Sequence, residues 1–511
     1  MRTEILILKK LEQRELKVGI NRGGYMNKTD KKYEYLLSGV LFTALVFGLL
    51  GVMGTMDSGY HLIDDHEFYR YQELISRVGL WEAIKENVAG DLAIRYRPLY
   101  IVLRTIGVAV FGTNTVLWSV CKAVEIIATL QIFYIFARKK ISIFFSAIFS
   151  IMIMWGSQSE VWWRLGPQES IGMLLFSAAL LSTYYLKTNH AWYNKLLFCV
   201  LLMFLSLQKE SFWVSVPWFF ILLFAYECNE NKRNNILILI RNFLKKYFVE
   251  SLIVVIVFAI DMYMILFVVG TDKIGYAGYS SDLSWKFYAL QTLYNLVGEC
   301  FPYLLSFIIV ILISYIGYKK DLFKKSFVFQ LCACIYLFFA ELVIYAKSGM
   351  ESRYLLPWVV SVLYIVFILG YQFWMEIPRV KVTIGGLCVL FLLLMGKDVF
   401  SEGIKFAEKG KNLQECVEFI IENTSESDKA VAVSRDKEID YAFGVLMKEE
   451  FRYKDFDEIE VYEKELSRLG EADILFGKTG QVYYRISEEA GLSLDNYDFY
   501  ETKYYEVALK R

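Results

Sequence analysis

Residues 34–56 read EYLLSGVLFTALVFGLLGVMGTM. A helix needs about 20 apolar residues to cross a hydrocarbon core about 30 Å thick, and this stretch meets that length with its one charge, Glu34, at the edge. Comparable runs recur near 115–137, 141–157, 170–186, 194–208, 211–226, 247–269, 301–318, 326–346, 354–374 and 381–399. Eleven spans are expected. They account for the 56% apolar composition of the 511 residues, the 17% aromatics and a mean hydropathy of +0.38. The first run starts too late, runs too long and lacks the small-residue site of a cleaved leader.

The formal net charge of zero conceals a division. Residues 401–511 hold 16 Lys/Arg against 26 Asp/Glu, and the first 400 hold 39 against 29. Basic clusters fall in the 1–33 lead, at Arg138-Lys139-Lys140, between Lys187 and Lys195, from Lys232 to Lys246, from Lys319 to Lys325, and at Arg379 and Lys381. All six share the cytoplasmic side if the eleven runs alternate. The N-terminus is then cytoplasmic. The loops 57–97, 157–169, 207–211, 270–300 and 346–353 then face outward, as does everything after 400. Residues 98–112 are apolar but short, and Arg104 interrupts them. Were they to cross, every later basic cluster would invert, so they are read as a juxtamembrane helix at the outer interface. The domains expected are a lead (1–33), a polytopic membrane domain (34–399) and an extracytoplasmic α/β domain (400–511). That last domain is read as helix Gly403–Asn423, strand Ala430–Ser434, helix Glu438–Glu450, strand Ala472–Phe476 and a strand pair within Tyr497–Leu509. The eight cysteines are scattered, with neither zinc spacing nor a disulfide framework. No basic stripe interleaved with aromatics lies outside the apolar runs, which argues against a nucleic-acid partner.

Charged residues at the outer ends of spans carry the chemical information. The first outer loop opens Met56-Asp57-Ser58-Gly59-Tyr60-His61-Leu62-Ile63-Asp64-Asp65-His66-Glu67. Crowded carboxylates raise one another's pKa or offer hard oxygens to a divalent cation such as Mg or Mn, with Asp64, Asp65 and Glu67 as ligands. Either suits a general base, with Asp57, Asp64 and Asp65 as candidates. The plainer reading is a solvated helix start capped by Asp64 or Asp65. Arg97 before Pro98 suits a phosphate oxygen, or a headgroup reached by snorkelling. Trp162-Trp163-Arg164 and Glu169 read as a sugar or lipid platform, or as an interfacial aromatic belt. Lys209-Glu210 occupies a tight turn where an ion pair is costly unless satisfied or functional. Arg353-Tyr354 stands before Pro357 at the outer entrance of a span, where a cation holds a lipid-linked phosphate or snorkels to the interface.

This order of motifs resembles the GT-C superfamily of polyprenyl-phosphate-sugar glycosyltransferases, in the protein O-mannosyltransferase and aminoarabinose transferase branch. The matching residues are Asp57 and Asp64-Asp65 after the first span, Arg97-Pro98, Arg353-Tyr354 with Pro357, and the soluble region after the last span. The usual His-Pro-Pro-like motif is here Arg97-Pro98-Leu99. The resemblance implies an all-α, GT-C-like polytopic fold, a polyprenyl-phosphate-linked sugar donor, and inverting transfer to a glycan, lipid or protein acceptor. It implies a first-loop Asp as base or metal ligand, Asp57 first with Asp64 and Asp65 as rivals. Arg353 would hold the donor phosphate, helped by Lys209 and Arg97. The alternatives are a polymerase or ligase using a diphosphate-linked donor, a transporter, and a scaffold presenting the C-terminal domain. A transporter would place charges at the midplane of two related halves. Asp261, Glu341 and Glu125 lie in apolar runs, but no two-fold repeat accompanies them.

Overall fold

The structure, a computed structural model, describes residues 28–167, 169–228, 236–270, 283–297, 325–347, 351–371, 378–433, 436–453, 456–458 and 466–511. The lead up to residue 27, the expected span 301–318 and the side chain of Glu210 lie outside the described residues.

Six described helices are long and apolar enough to cross a membrane: Lys31–Met53, Thr115–Ala137, Glu169–Thr188, Phe248–Gly270, Ser326–Ile344 and Lys381–Asn423. Shorter apolar helices cover 143–153, 192–206, 211–227 and 356–369. Together they account for ten of the eleven expected runs. Their outward faces are hydrocarbon: Leu36, Leu37, Val40, Leu41 and Val52 are each more than half exposed, as are Val255, Ile260 and Phe267. A soluble chain does not present such faces to water. The protein is a mainly helical, multi-pass membrane protein with a small C-terminal sheet.

The first helix, α1 (Lys28–Met53), shows how these elements pack. Phe42, Val46, Leu50 and Met53 are buried at three- and four-residue spacing, forming one stripe. That stripe meets α5 (Thr115–Ala137), whose Asn114 cap accepts from Leu117 N at 3.0 Å. Ser38 Oγ donates to Gln131 Oε1 at 3.0 Å, and Arg138 Nη2 donates to Glu34 at 3.1 Å. Between them run α2 (Glu67–Val78), α3 (Leu80–Leu92) and α4 (Pro98–Phe111). Pro98 opens α4 at a position where a missing N–H costs nothing. At 14 residues it is one of five shorter apolar helices among the described residues.

The chain then forms α6 (Ile143–Ile153), a 3-10 turn (Ser157–Trp162), α7 (Glu169–Thr188), α8 (Trp192–Ser206) and α9 (Val216–Glu227). It continues through α10 (Ile236–Lys246), α11 (Phe248–Tyr263), α12 (Trp285–Val297), α13 (Lys325–Ile344) and α14 (Leu356–Leu363). The break expected near 400 is absent. One helix, α15 (Pro378–Asn423), runs 46 residues from the membrane domain into the C-terminal domain.

That domain adds β1 (Ala430–Ala432), α16 (Lys437–Val445), β2 (Phe456–Glu458), β3 (Ile474–Lys478), α17 (Gln481–Tyr484), β4 (Tyr497–Glu501) and β5 (Tyr505–Lys510). The sheet order is β2-β1-β3-β5-β4, with β1 parallel to both neighbours and β5 antiparallel to both of its own. Leu62 and Tyr69 of the 57–97 segment join Leu413, Val417, Phe443 and Phe476 in one core. The loop that carries the acidic residues is therefore shared with the C-terminal domain.

Candidate active site

The turn at 61–67 is unusual in its backbone. Leu62 and Asp64 hold φ of 58° and 59°, two of only three non-glycine residues at positive φ among those described. Such strain persists only where surrounding contacts fix it. Asp65 supplies one: its Oδ2 accepts from His61 N at 2.7 Å and its Oδ1 from Ile63 N at 2.9 Å. Gly166 supplies another, because its α-carbon lies flat against the turn. A Cβ there would sit 2.4 Å from Asp64 Cβ and 2.6 Å from Ile63 O. His61 anchors the other side, stacked on Phe406 of α15 at 3.6 Å with Nε2 3.1 Å from Ser58 Oγ.

Arg104 ties the pieces together. It is 1% exposed, donates to Glu67 Oε2 and to the Gly166 carbonyl, and lies over the Tyr100 ring at 4.8 Å. From α5, Lys122 Nζ donates to Pro167 O at 2.7 Å and Ser170 Oγ at 2.9 Å, and Ser170 Oγ donates to Glu125 at 2.5 Å. These bonds fix the start of α7 and with it Glu169.

Glu169, buried at 4% exposure, gathers two cations from distant parts of the chain. Lys209 Nζ donates to its Oε1 at 2.7 Å, and Arg353 Nε lies 3.8 Å from the same oxygen. Lys209 also sits 4.1 Å above the Tyr354 ring, which stacks on Tyr345 at 4.8 Å and 1°. Arg353 Nη2 lies 2.8 Å from Glu351 and donates to Tyr354 OH at 3.3 Å. Glu169 Oε2 and Arg353 Nη1 are buried without a hydrogen-bond partner. Buried polar atoms are almost always bonded, so orphans at one place are a functional signal.

Asp64 connects the two halves electrostatically. Burial works against its charge, but Arg104, Arg353, His66 and Arg97 outweigh it and hold the carboxyl below its ordinary range. It makes no hydrogen bond among the described residues. Asp65 goes the other way: burial pushes it up to about 6 despite its backbone bonds. Burial also drives His61 down to about 3, so its ring is neutral.

The structure thus sorts the residues singled out in the sequence. Asp64, Glu169, Lys209, Arg353 and Tyr354 converge. Asp57 is exposed, and Asp65 is occupied in shaping the turn. Arg97 turns to Asp91 at 2.9 Å, and Arg164 pairs with Glu160 at 2.7 Å. Asp64, Asp65 and Glu67 do not fit a shared metal ion. The oxygens of Asp65 face backbone amides, Glu67 holds Arg104, and Asp64 is surrounded by cations. No group of three His, Cys, Asp or Glu suited to a metal occurs among the described residues. Sequence reasoning missed Arg104, Lys122 and Gly166 as site residues. The interruption of an apolar helix by Arg104 was the available signal.

No protein-family model matches this chain, and no curated protein matches it. Solved structures do. The chain is similar to ArnT from Cupriavidus metallidurans bound to undecaprenyl phosphate, at 12% identity, over 92% of this chain and 97% of that one, with a TM-score of 0.42. The apo ArnT structure gives 11% identity, the same coverage and a TM-score of 0.45. AglB from Archaeoglobus fulgidus, an archaeal oligosaccharyltransferase in complex with an inhibitory peptide and a dolichol-phosphate, gives 10% identity over 94% of this chain and 74% of that one, at 0.44. With TM-scores below 0.5, the functional reading of this chain rests on its own site.

Proposed function

We propose that the protein is a membrane glycosyltransferase that moves a sugar from a polyprenyl-phosphate-linked donor to a cell-surface acceptor at the outer membrane face. The observation that carries this reading is the meeting of Lys209 and Arg353 on Glu169, within the field of an ionised, strained Asp64. Arg353 and Lys209 neutralise the donor phosphate at headgroup level while its lipid tail stays in the bilayer. As the bond from the anomeric carbon to the phosphate oxygen breaks, the phosphate leaves with the electron pair. The acceptor oxygen bonds to that carbon, and Asp64 takes its proton. Gly166 and Asp65 act on Asp64 by position, and the charge of Arg104 helps keep its carboxyl ionised. The charge bias of the basic loops supports a cytoplasmic N-terminus and an external C-terminal domain.

The test uses the full chain in proteoliposomes with polyprenyl-phosphate sugars and envelope extract as acceptor. Release of free polyprenyl phosphate should require the acceptor, and Asp64→Asn should abolish it in protein that folds and inserts normally. Unchanged release in both Asp64→Asn and Arg353→Ala would overturn the reading.

A further inference from the structure

Next to this site lies a cavity of about 580 Å³, bounded by α2, α3 and the start of α4, with Glu449 contributing from the C-terminal domain. Its size is ordinary for a small-molecule site. It adjoins the reacting groups, because Glu67 lines it and also holds Arg104, and Arg97 lines it and acts on Asp64.

We propose that this cavity is the acceptor subsite and takes the neutral, hydroxyl-rich end of an oligosaccharide. The inference rests on the glycosyl-transfer reading and deepens it. The lining holds five carboxylates and only three guanidiniums. Two of those guanidiniums are already matched, Arg97 to Asp91 at 2.9 Å and Arg70 to Glu67 at 3.6 Å. A phosphate-bearing lipid meets net negative charge here and is repelled. A lipid chain finds too little apolar lining between Leu74, Ile94 and Ile101. Hydroxyl groups, which both donate and accept, suit a wall of alternating carboxylates and guanidiniums. Arg77 and Glu86 are exposed members of the lining, so their side chains can change without disturbing the core.

The experiment titrates the full chain in nanodiscs with a pool of neutral oligosaccharides released from the envelope of cells that express it. Binding is followed by saturation-transfer NMR. Wild type and Asp64→Asn should bind the pool alike, while Arg77→Ala and Glu86→Ala each weaken binding by about tenfold, the scale of one hydrogen bond to a charged group. Absence of oligosaccharide binding to wild type overturns the proposal. So does binding that neither variant changes, or a peptide pool or phospholipid vesicles bound in a way that Arg77→Ala abolishes. If release of polyprenyl phosphate is unchanged in both Asp64→Asn and Arg353→Ala, the glycosyl-transfer reading fails, whereas the binding titration tests the cavity independently of that outcome.

Discussion

Replacing Gly166 with alanine adds one methyl group, with no change in charge, at the point where the 164–170 segment meets the strained turn. That methyl would stand 2.4 Å from Asp64 Cβ, 2.6 Å from Asp64 carbonyl carbon and 2.6 Å from Ile63 O. Two of the three obstructing atoms are backbone, so no rotamer change relieves them. Ordinary contact begins near 3.4 Å, so the turn must retreat by roughly 1 Å, and a misplacement of that size costs about 100-fold in rate. Overpacking of this kind costs about 1–3 kcal/mol of stability, too little by itself to remove the folded protein. The assay compares kcat/KM for polyprenyl phosphate release, normalised to folded protein by thermal melting, in Gly166→Ala and Gly386→Ala. Gly386 is exposed on α15, with nothing within 4 Å of its added Cβ, and its variant should match wild type. A Gly166→Ala enzyme with wild-type kcat/KM would refute the link between the geometry of this turn and the reaction.

Other expectations follow from the same groups. Asp64→Asn should lower kcat by about 10²–10⁴-fold, the usual worth of a general base, and a preserved kcat would transfer that role elsewhere. Lys209→Ala and Arg353→Ala should be non-additive, since both cations meet Glu169 Oε1; a double-mutant cycle that sums to zero coupling would break the pairing. Arg353→Lys should not rescue, because a planar fork serves Glu351 and Tyr354 together; full activity in that variant would count against it. For pH, Asp65 binds its proton more tightly folded than unfolded, so its contribution to stability is present below about 4 and is lost as pH rises through about 6. His61 has the opposite sign: its depressed pKa contributes stability above about 6.5 that is lost as pH falls toward about 3. Melting temperatures between pH 4 and 6 should therefore fall more steeply with acid in Asp65→Asn, and less steeply in His61→Gln, than in wild type; parallel curves would exclude both assignments.

The membrane architecture was legible because span length is a property of local composition. Residues 98–112 were legible as a helix, the 14-residue α4. The unbroken α15 was not legible. Lys397, Asp398, Ser401 and Glu402 end the hydrophobic run but not the helix, which continues past Gly403 where Met53 packs closely. The strand β2 carries two acids in three residues and has no alternation to read. At the site, Glu169, Lys209 and Arg353 were each visible as costly charges, but their meeting on one carboxylate is a product of packing. The ranking of Asp57 over Asp64 failed to anticipate the turn, because adjacency to a span says nothing about φ. Arg104 announced itself only as a disruption of apolarity.

The 46 residues of α15 have a mechanical consequence. A helix of that length extends about 69 Å, so a tilt change of 5° displaces its far end by about 6 Å. His61 rests on Phe406 of this rod, and Gly410 admits the Ser58 carbonyl and the His61 ring against its flank. A thinning bilayer that tips its lipid-facing half would thus be geared directly to the loop bearing Asp64.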